Sequence, residues 1–405
     1  MIDKAMEHPA EGSPTAATAV IPPPAVTTAP APQPAPQPTV PASHGSLPYG
    51  AALGARALVP DGGEETPLLA RRRQGWELGL PPYADARKRR PPLIIAVGGG
   101  KGGVGKSLVS ANLAMKLAQT GRRVVAVDLD IGGANLHTYF GVHAPKATLS
   151  DAIVYRHKSF AEVMTPTGIE GVSIVAGGRE EIWGGTGALD RGVLRTLFDA
   201  LLGVKERGEA DVVLLDLGAG THRHTLDFFN SAHVGLITVL PEPTSIENAY
   251  LFLKTALFRV IENVGVKLGA TDTADEIRAT LLAADAGGEG GARSRAFGYA
   301  EKLRQIGAYY PGFVGQVALA LTGRTLGITV NQVRSQQDID VGKSMELIGE
   351  RYFGYQTRFC GYLNYDEAAW KSLRNRRLLT VDFPHSLIAR RFSELSRAVL
   401  TNLGF

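Results

Sequence analysis

The sequence predicts an α/β fold, a doubly wound, mainly parallel sheet flanked by helices. Short apolar runs rich in β-branched residues recur at 93–97, 124–127, 211–215, 236–240, 328–330 and 359–363, and read as buried strands. Stretches with helical periodicity separate them. Acidic residues and glycines gather where several of these strands end, which is where open α/β sheets bind ligands.

The first strand organises the rest. Leu93-Ile94-Ile95-Ala96-Val97 runs into Gly98-Gly99-Gly100-Lys101-Gly102-Gly103-Val104-Gly105-Lys106-Ser107, and residues 108–119 then carry Val109, Leu113 and Leu117 at helical spacing. Residues 100–107 fit G-x-x-x-x-G-K-[ST] in its strand–loop–helix context. A triphosphate carries several negative charges and has to be wrapped closely. Glycines turn the backbone without clashes and aim successive N–H groups inward as an anion nest. The helix start adds its positive dipole end. The reading is an ATP and Mg²⁺ site in which Gly100, Lys101, Gly102, Gly103, Val104, Gly105, Lys106 and Ser107 wrap the phosphates. Lys106 reaches the β- and γ-phosphates and the Ser107 hydroxyl ligates the metal.

The second strand ends in Asp128-Leu129-Asp130. Such a site needs a carboxylate to hold metal-bound water and another group to orient the attacking water, and Asp128 and Asp130 suit those roles. Residues 211–215 lead into Asp216-Leu217-Gly218-Ala219-Gly220, a Walker B-type strand whose Asp216 would hold Mg²⁺ through water. Gly218 and Gly220 there allow close approach to phosphate. His222 and His224 at i, i+2 lack further ligands at fixed spacing and read as loop residues.

After the strand at 236–240, Thr244 with Glu247 reads as a capping box, opening a helix that buries Ile246, Tyr250, Leu253 and Leu257. Thr148 to Ile153 begins a surface helix, and 189–202 reads as a helix. The stretch from about 266 to 323 is a helical insertion: Thr273 and Glu276 cap a helix, the glycines at 286–291 break the chain, and a partly helical stretch follows, interrupted at Pro311-Gly312. It acts either in partner choice or as a packing element. Cys360 reads as a small buried hydrophobe. The final helix buries Ile388, Phe392, Leu395 and Val399, with Arg390, Arg391 and Arg397 mostly on its other side.

The first 92 residues are a different polymer. Only six of the 24 prolines lie beyond Pro92. Runs such as Pro32-Gln33-Pro34-Ala35-Pro36 cannot hold helix or sheet hydrogen bonding and favour extended, disordered chain. This tail reads as a tether or a partner-binding arm. Arg71-Arg72-Arg73 and Arg87-Lys88-Arg89-Arg90 bracket Trp76 and could touch an acidic partner, lipid or nucleic acid. The net charge of +4 sets up no global field for nucleic acid. The single Cys360 excludes an internal disulfide or a Cys-x-x-Cys pair. No long apolar run suggests a membrane span, and the N-terminus lacks a signal-peptide core, so a cytoplasmic protein is expected.

Lys101-Gly102-Gly103-Val104-Gly105-Lys106-Ser107 resembles the deviant Walker A loop of the MinD/ParA family. Residues 125–136, with Ile131-Gly132 and Asn135-Leu136, resemble the second nucleotide motif of its MinD/FlhG branch rather than the Asp-Pro-Gln usual in ParA proteins. Asp216-Leu217-Gly218-Ala219-Gly220 and Pro241-Glu242-Pro243-Thr244-Ser245-Ile246 are similar to FlhG. The resemblance runs from about 93 to 405, excluding the insertion, which departs from the family. It implies that Lys101 reaches across a dimer interface to the partner's ATP. It also implies that Asp130 activates the water, that Asp128 belongs to the Mg²⁺ and phosphate shell, and that Asn331 contacts the adenine. A turn-capping asparagine is the plainer reading of Asn331.

The function so implied is an ATP-hydrolysing dimerisation switch that positions or regulates a cellular structure such as flagella or a cell-pole assembly. It works as an ATP-dependent homodimer with an unknown protein partner, cytoplasmic or peripheral at a membrane or cell pole. A ParA-like DNA-partition ATPase, using the basic cluster Arg374, Arg376 and Arg377, is one alternative. An ATP-binding scaffold without hydrolysis is another. An iron–sulfur carrier of the Mrp type lacks its cysteine pair here, and a bacterial tyrosine kinase its terminal tyrosines. The amphipathic membrane helix of MinD and FlhG is expected about where this chain stops, and FlhG's glutamine-containing N-terminal motif has no match.

Overall fold

The apolar runs form strands in a computed structural model that describes residues 92–130, 133–154, 160–178, 210–285 and 298–401. All of these lie in the unit Pro60–Phe405. The proline-rich segment with its basic clusters, the Ile131-Gly132 pair, the helix expected at 189–202 and the glycine run at 286–291 lie outside the described residues.

The strands are β1 (Leu93–Gly98), β2 (Val124–Leu129), β3 (Thr165–Pro166), β4 (Val172–Val175), β5 (Val212–Leu217), β6 (Val234–Val239), β7 (Thr325–Val333) and β8 (Gln356–Asn364). They make one sheet in the order β3-β4-β2-β5-β1-β6-β7-β8. Every neighbouring pair is parallel except β3 with β4. β1, β2, β5 and β6 are buried at every residue, because helices cover both faces.

Alternation along β1 splits the core in two. Leu93, Ile95 and Val97 join the side covered by α1 (Lys106–Ala118), through Val109, Leu113 and Leu117. Between α1 and the insertion the chain forms α2 (Leu136–Tyr139), α3 (Leu149–Val154), α4 (Phe160–Val163), α5 (Arg223–Ser231) and α6 (Pro243–Leu268). Ile94 and Ala96 face the other side, with Phe229 of α5 and Phe252 and Leu257 of α6. The insertion forms α7 (Thr271–Asp285), α8 (Tyr299–Ile306) and α9 (Pro311–Thr322). Its Ile277, Leu281, Tyr299, Phe313 and Val317 belong to this same core. Tyr299 is fully buried and meets Phe258 edge-on at 5.6 Å between ring centroids. It also packs on Tyr352 and Phe353 of a π-helical turn (Ile348–Phe353) that continues α10 (Gln336–Leu347). The insertion is thus a packing element of the sheet's second face. After β8 come α11 (Glu367–Arg374), α12 (Leu379–Asp382) and α13 (Leu387–Thr401). α13 covers the α1 side with Ile388, Phe392, Leu395 and Val399, and Arg390 and Arg397 are exposed as expected.

Three local expectations are corrected. Thr244 and Glu247 form no capping box: α6 opens at Pro243 with Glu242 at the N-cap and no side-chain cap. A proline at the first helical position has its φ preset and lacks only an N–H that would have no partner, so it sets the start two residues earlier. Thr273 lies inside α7, which opens at Thr271. The helix expected on the surface at Thr148 buries Leu149 and Ser150, since Thr148 bridges to Ala176 beside β4.

α5 and α6 are joined by a buried ion pair. Arg259 donates to both carboxylate oxygens of Asp227, at 2.7 and 2.6 Å, with both side chains less than a tenth exposed. Removing Asp227 takes both of its hydrogen bonds from this buried guanidinium and leaves it with Glu262, which it meets at 2.9 Å. Asp227→Ala should therefore lower unfolding free energy by about 3–5 kcal/mol in a urea titration. Asp340→Ala, which breaks an exposed pair with Lys343, should change it little.

β1 meets the residue before β6 at a part-buried polar contact, where the Ile94 N–H donates to His233 Nδ1 at 3.0 Å. Burial pushes the His233 pKa down from 6.5 to about 4. Between those values the unfolded chain binds more protons than the folded one, so stability rises with pH. The contribution is complete above the unfolded value and is lost as pH falls towards the folded one. His233→Gln should flatten the fall in melting temperature across that window; an unchanged slope in a thermal scan would refute this role.

Candidate functional site

Strand register assembles the acidic residues. Asp128 of β2 pairs in register with Asp216 of β5, and Asp216 pairs with Val97 of β1. Both carboxylates therefore stand at the C-terminal end of the sheet, beside the strand that feeds the glycine loop. Asp128 is 1% exposed and accepts from the backbone N–H of Leu136 at 2.9 Å and of Asp130 at 3.1 Å. Asp216, equally buried, accepts from Ser110 Oγ at 2.7 Å and from the Ser107 hydroxyl.

Burial pushes both carboxyls above the usual carboxylate range. The charge of Asp216 adds to the rise at Asp128, while Ser107, Ser110 and Lys106 hold Asp216 down. Lys106 is itself buried, and its Nζ donates to the Lys101 carbonyl at 3.5 Å. Burial pulls its pKa down, against the attraction of Asp216 and Asp130. α1 opens directly at Lys106, with Gly105 as its N-cap in the left-handed conformation at φ 94°.

Asp130 is half-buried at the end of β2. Gly218 makes room for it: a Cβ there would lie 2.8 Å from Asp130 Oδ1. Lys101 stands apart from the carboxylates. Its ammonium donates to Thr244 Oγ1 at 3.2 Å and lies 3.8 Å from Glu242, at the exposed start of α6. Gly102 and Gly103 are exposed and Val104 is buried. Asn331 lies inside β7, fully buried, and donates to the Val104 carbonyl. The His222 and His224 rings stack on each other 5.7 Å apart. Cys360 is buried in β8.

Four participants were not read from the sequence. Ser110 follows Ser107 by three residues, so one helical turn puts both hydroxyls on Asp216; that spacing was the available signal. Tyr139, whose hydroxyl burial and Asp216 push up to about 12, has no local signal. Glu242 and Thr244 meet Lys101 only through packing of distant segments.

These residues suit a magnesium nucleotide. Two adjacent carboxylates held above their ordinary pKa by burial, with the Asp216 charge adding at Asp128 and the Asp130 charge at Asp216, are relieved by a cation, and Ser107 is a hard oxygen donor beside them. Ser107, Asp128 and Asp216 would hold the metal shell, and the loop N–H groups with Lys106 the phosphates.

A family model described as ParA, an NUBPL iron-transfer P-loop NTPase, matches residues 92–263. The antiactivator FleN of Pseudomonas aeruginosa is 36% identical over 183 residues, which cover 43% of this chain and 62% of FleN. The flagellum site-determining protein YlxH of Helicobacter pylori is 34% identical over 40% of this chain and 52% of YlxH. The chain carries a P-loop NTPase domain of the ParA/MinD family. The septum site-determining protein MinD of Helicobacter pylori is 31% identical over 39% of this chain and 56% of that protein. The matched part spans between about half and three-fifths of these relatives' length. Among solved structures, the Pyrococcus furiosus cell division ATPase MinD aligns with 76% of this chain and 99% of its own at 20% identity and a TM-score of 0.48. No helix among the described residues is long and apolar enough to cross a membrane.

Among the described residues, Lys106 is the cation buried among the carboxylates at the loop. Lys106→Ala should abolish binding in a fluorescent-nucleotide titration while the protein still unfolds cooperatively. Unchanged affinity would refute the site.

Proposed function

We propose that the chain is an ATP-hydrolysing dimerisation switch of the MinD/FlhG type that positions or regulates a cellular structure, flagella or a cell-pole assembly being the examples nearest its relatives. The observation that carries this reading is the convergence of Lys106, Ser107, Asp128, Asp130 and Asp216 at one end of the sheet. FleN, named an antiactivator, and YlxH, named a flagellum site-determining protein, support the positioning role.

Each residue has a part in that scheme. The loop N–H groups and Lys106 bind the β- and γ-phosphates. Bound Mg²⁺ neutralises phosphate charge. Asp130 orients the attacking water, and Gly218 leaves its carboxylate the space to do so. Lys101 leaves Thr244 and Glu242 to serve the phosphates of the facing subunit, offsetting the repulsion between two ATP-loaded sites. The ATP dimer engages a protein partner, and hydrolysis releases it. Asn331 is assigned to the nucleotide site with these residues.

The family description and several relatives also point to iron–sulfur cluster carriage. A carrier needs accessible thiolates, and this chain's single Cys360 is buried. A scaffold that binds ATP without hydrolysis, and a ParA-like DNA-partition ATPase, are separated from the switch by experiment. Asp130→Ala should bind ATP, release phosphate about a hundredfold more slowly or worse, and accumulate as a dimer. Lys101→Ala should bind ATP but stay monomeric and inactive. Phosphate release and light scattering with ATP read both. A monomeric Asp130→Ala protein or a fully active Lys101→Ala protein would overturn the switch, and ATP-dependent DNA retention by wild type would favour partition.

A further inference from the structure

Asn331 stands at an irregularity of the sheet. Val330 pairs with Tyr362 and Val333 with Asn364, so β7 uses one residue more than β8 over this stretch. Such a bulge bends its strand and re-aims a side chain. Gln332 bears the distortion at φ 59°, a left-handed conformation that residues with a Cβ seldom hold. The Asn331 carboxamide is engaged at both ends. Its Oδ1 accepts from the Gln332 N–H at 2.9 Å, which secures the bulge. Its Nδ2 donates to the Val104 carbonyl at 2.9 Å, across 227 positions of sequence. Both Asn331 and Val104 are almost fully buried. Gly105 packs so closely that a Cβ on it would collide with Asn331 Nδ2.

The peptide plane turns this contact into a statement about phosphate. The Val104 carbonyl and the Gly105 N–H belong to one planar unit and point in opposite directions. Fixing the carbonyl on Asn331 therefore fixes the N–H on the other side, at the last turn before Lys106. We propose that Asn331 is a positioning residue for the phosphate loop: its carboxamide locks the Val104–Gly105 peptide in the orientation that binds phosphate. Its contribution to nucleotide affinity then comes through the phosphates and not through the base. The inference rests on the reading of residues 100–107 as a phosphate site, and it departs from the adenine contact that the family resemblance implies.

Isothermal titration with ATP, GTP and inorganic tripolyphosphate, each with Mg²⁺, tests it on the full chain. Asn331→Ala should weaken all three by about tenfold or more, because a buried carbonyl loses its donor, and should leave the ATP-to-GTP ratio unchanged. Asn331→Asp has the same shape and keeps the Gln332 bond but replaces the donor with an acceptor, so it carries the test if the alanine variant does not fold. It should lose tripolyphosphate affinity at about pH 8 and regain part of it, relative to wild type, at about pH 5.5, because burial against a carbonyl oxygen raises the pKa of a carboxyl at this position well above its ordinary value and the protonated form can donate again. A variant that binds tripolyphosphate like wild type while losing ATP selectively would make Asn331 a base reader and overturn the proposal. So would a loss in Asn331→Asp that pH does not touch, which would mark the contact as merely structural. Wild type binding none of the three would instead overturn the phosphate site itself.

Discussion

Two carboxylates held side by side and almost out of water are the constraint on which the site depends. Asp128 and Asp216 come together because β2 and β5 are neighbours in register, and burial leaves each with less stabilisation than a carboxylate ordinarily has. Left alone, such a pair favours taking up protons or a cation. The surrounding groups are arranged to meet that demand from the protein side: two backbone N–H groups on Asp128, two serine hydroxyls on Asp216, and the buried ammonium of Lys106 nearby. A site with that much unspent negative potential beside a nest of N–H groups suits a metal–phosphate complex, which brings both signs of charge at once.

The rest of the fold holds that end of the sheet still. β1, β2, β5 and β6 are buried along their whole length, so the strand ends that present Gly98, Asp128 and Asp216 cannot shift without disturbing both cores. α6 then links the site to the second face. Its first turn carries Glu242 and Thr244 against Lys101, and its far half carries Arg259 and Phe258 against α5 and α8. The insertion packs on this helix through Tyr299, which meets Phe258, and through Arg278 of α7, which pairs with Glu262 of α6. The segment at 266–323 is thereby packed on the same helix that meets the loop lysine.

The separation of the two lysines is informative. Lys106 is buried among carboxylates, whereas Lys101 is substantially exposed and rests on another helix. Five positions apart in one loop, they meet different solvents. A buried ammonium is useful only against charge in its own site, while an exposed one on a long stem can reach elsewhere at little cost. That contrast favours distinct tasks for the two within the proposed switch.

Much of this was legible in local sequence. The strands, the glycine loop and its helix, and the identity of Asp128, Asp130 and Asp216 follow from periodicity and from motifs of fixed spacing, because each depends on neighbours within a few residues. Helix starts were less legible: Thr244 and Thr273 both look like caps, and Pro243 and the entry at Thr271 overrule them. Tertiary structure alone decided which groups touch across distance. No local rule places the Asn331 carboxamide on the Val104 carbonyl or Gly218 beside Asp130, or the insertion inside the main core rather than on the surface. Those contacts come from strand order, register and one bulge, which arise only when the whole sheet closes its hydrogen bonds and its apolar faces together.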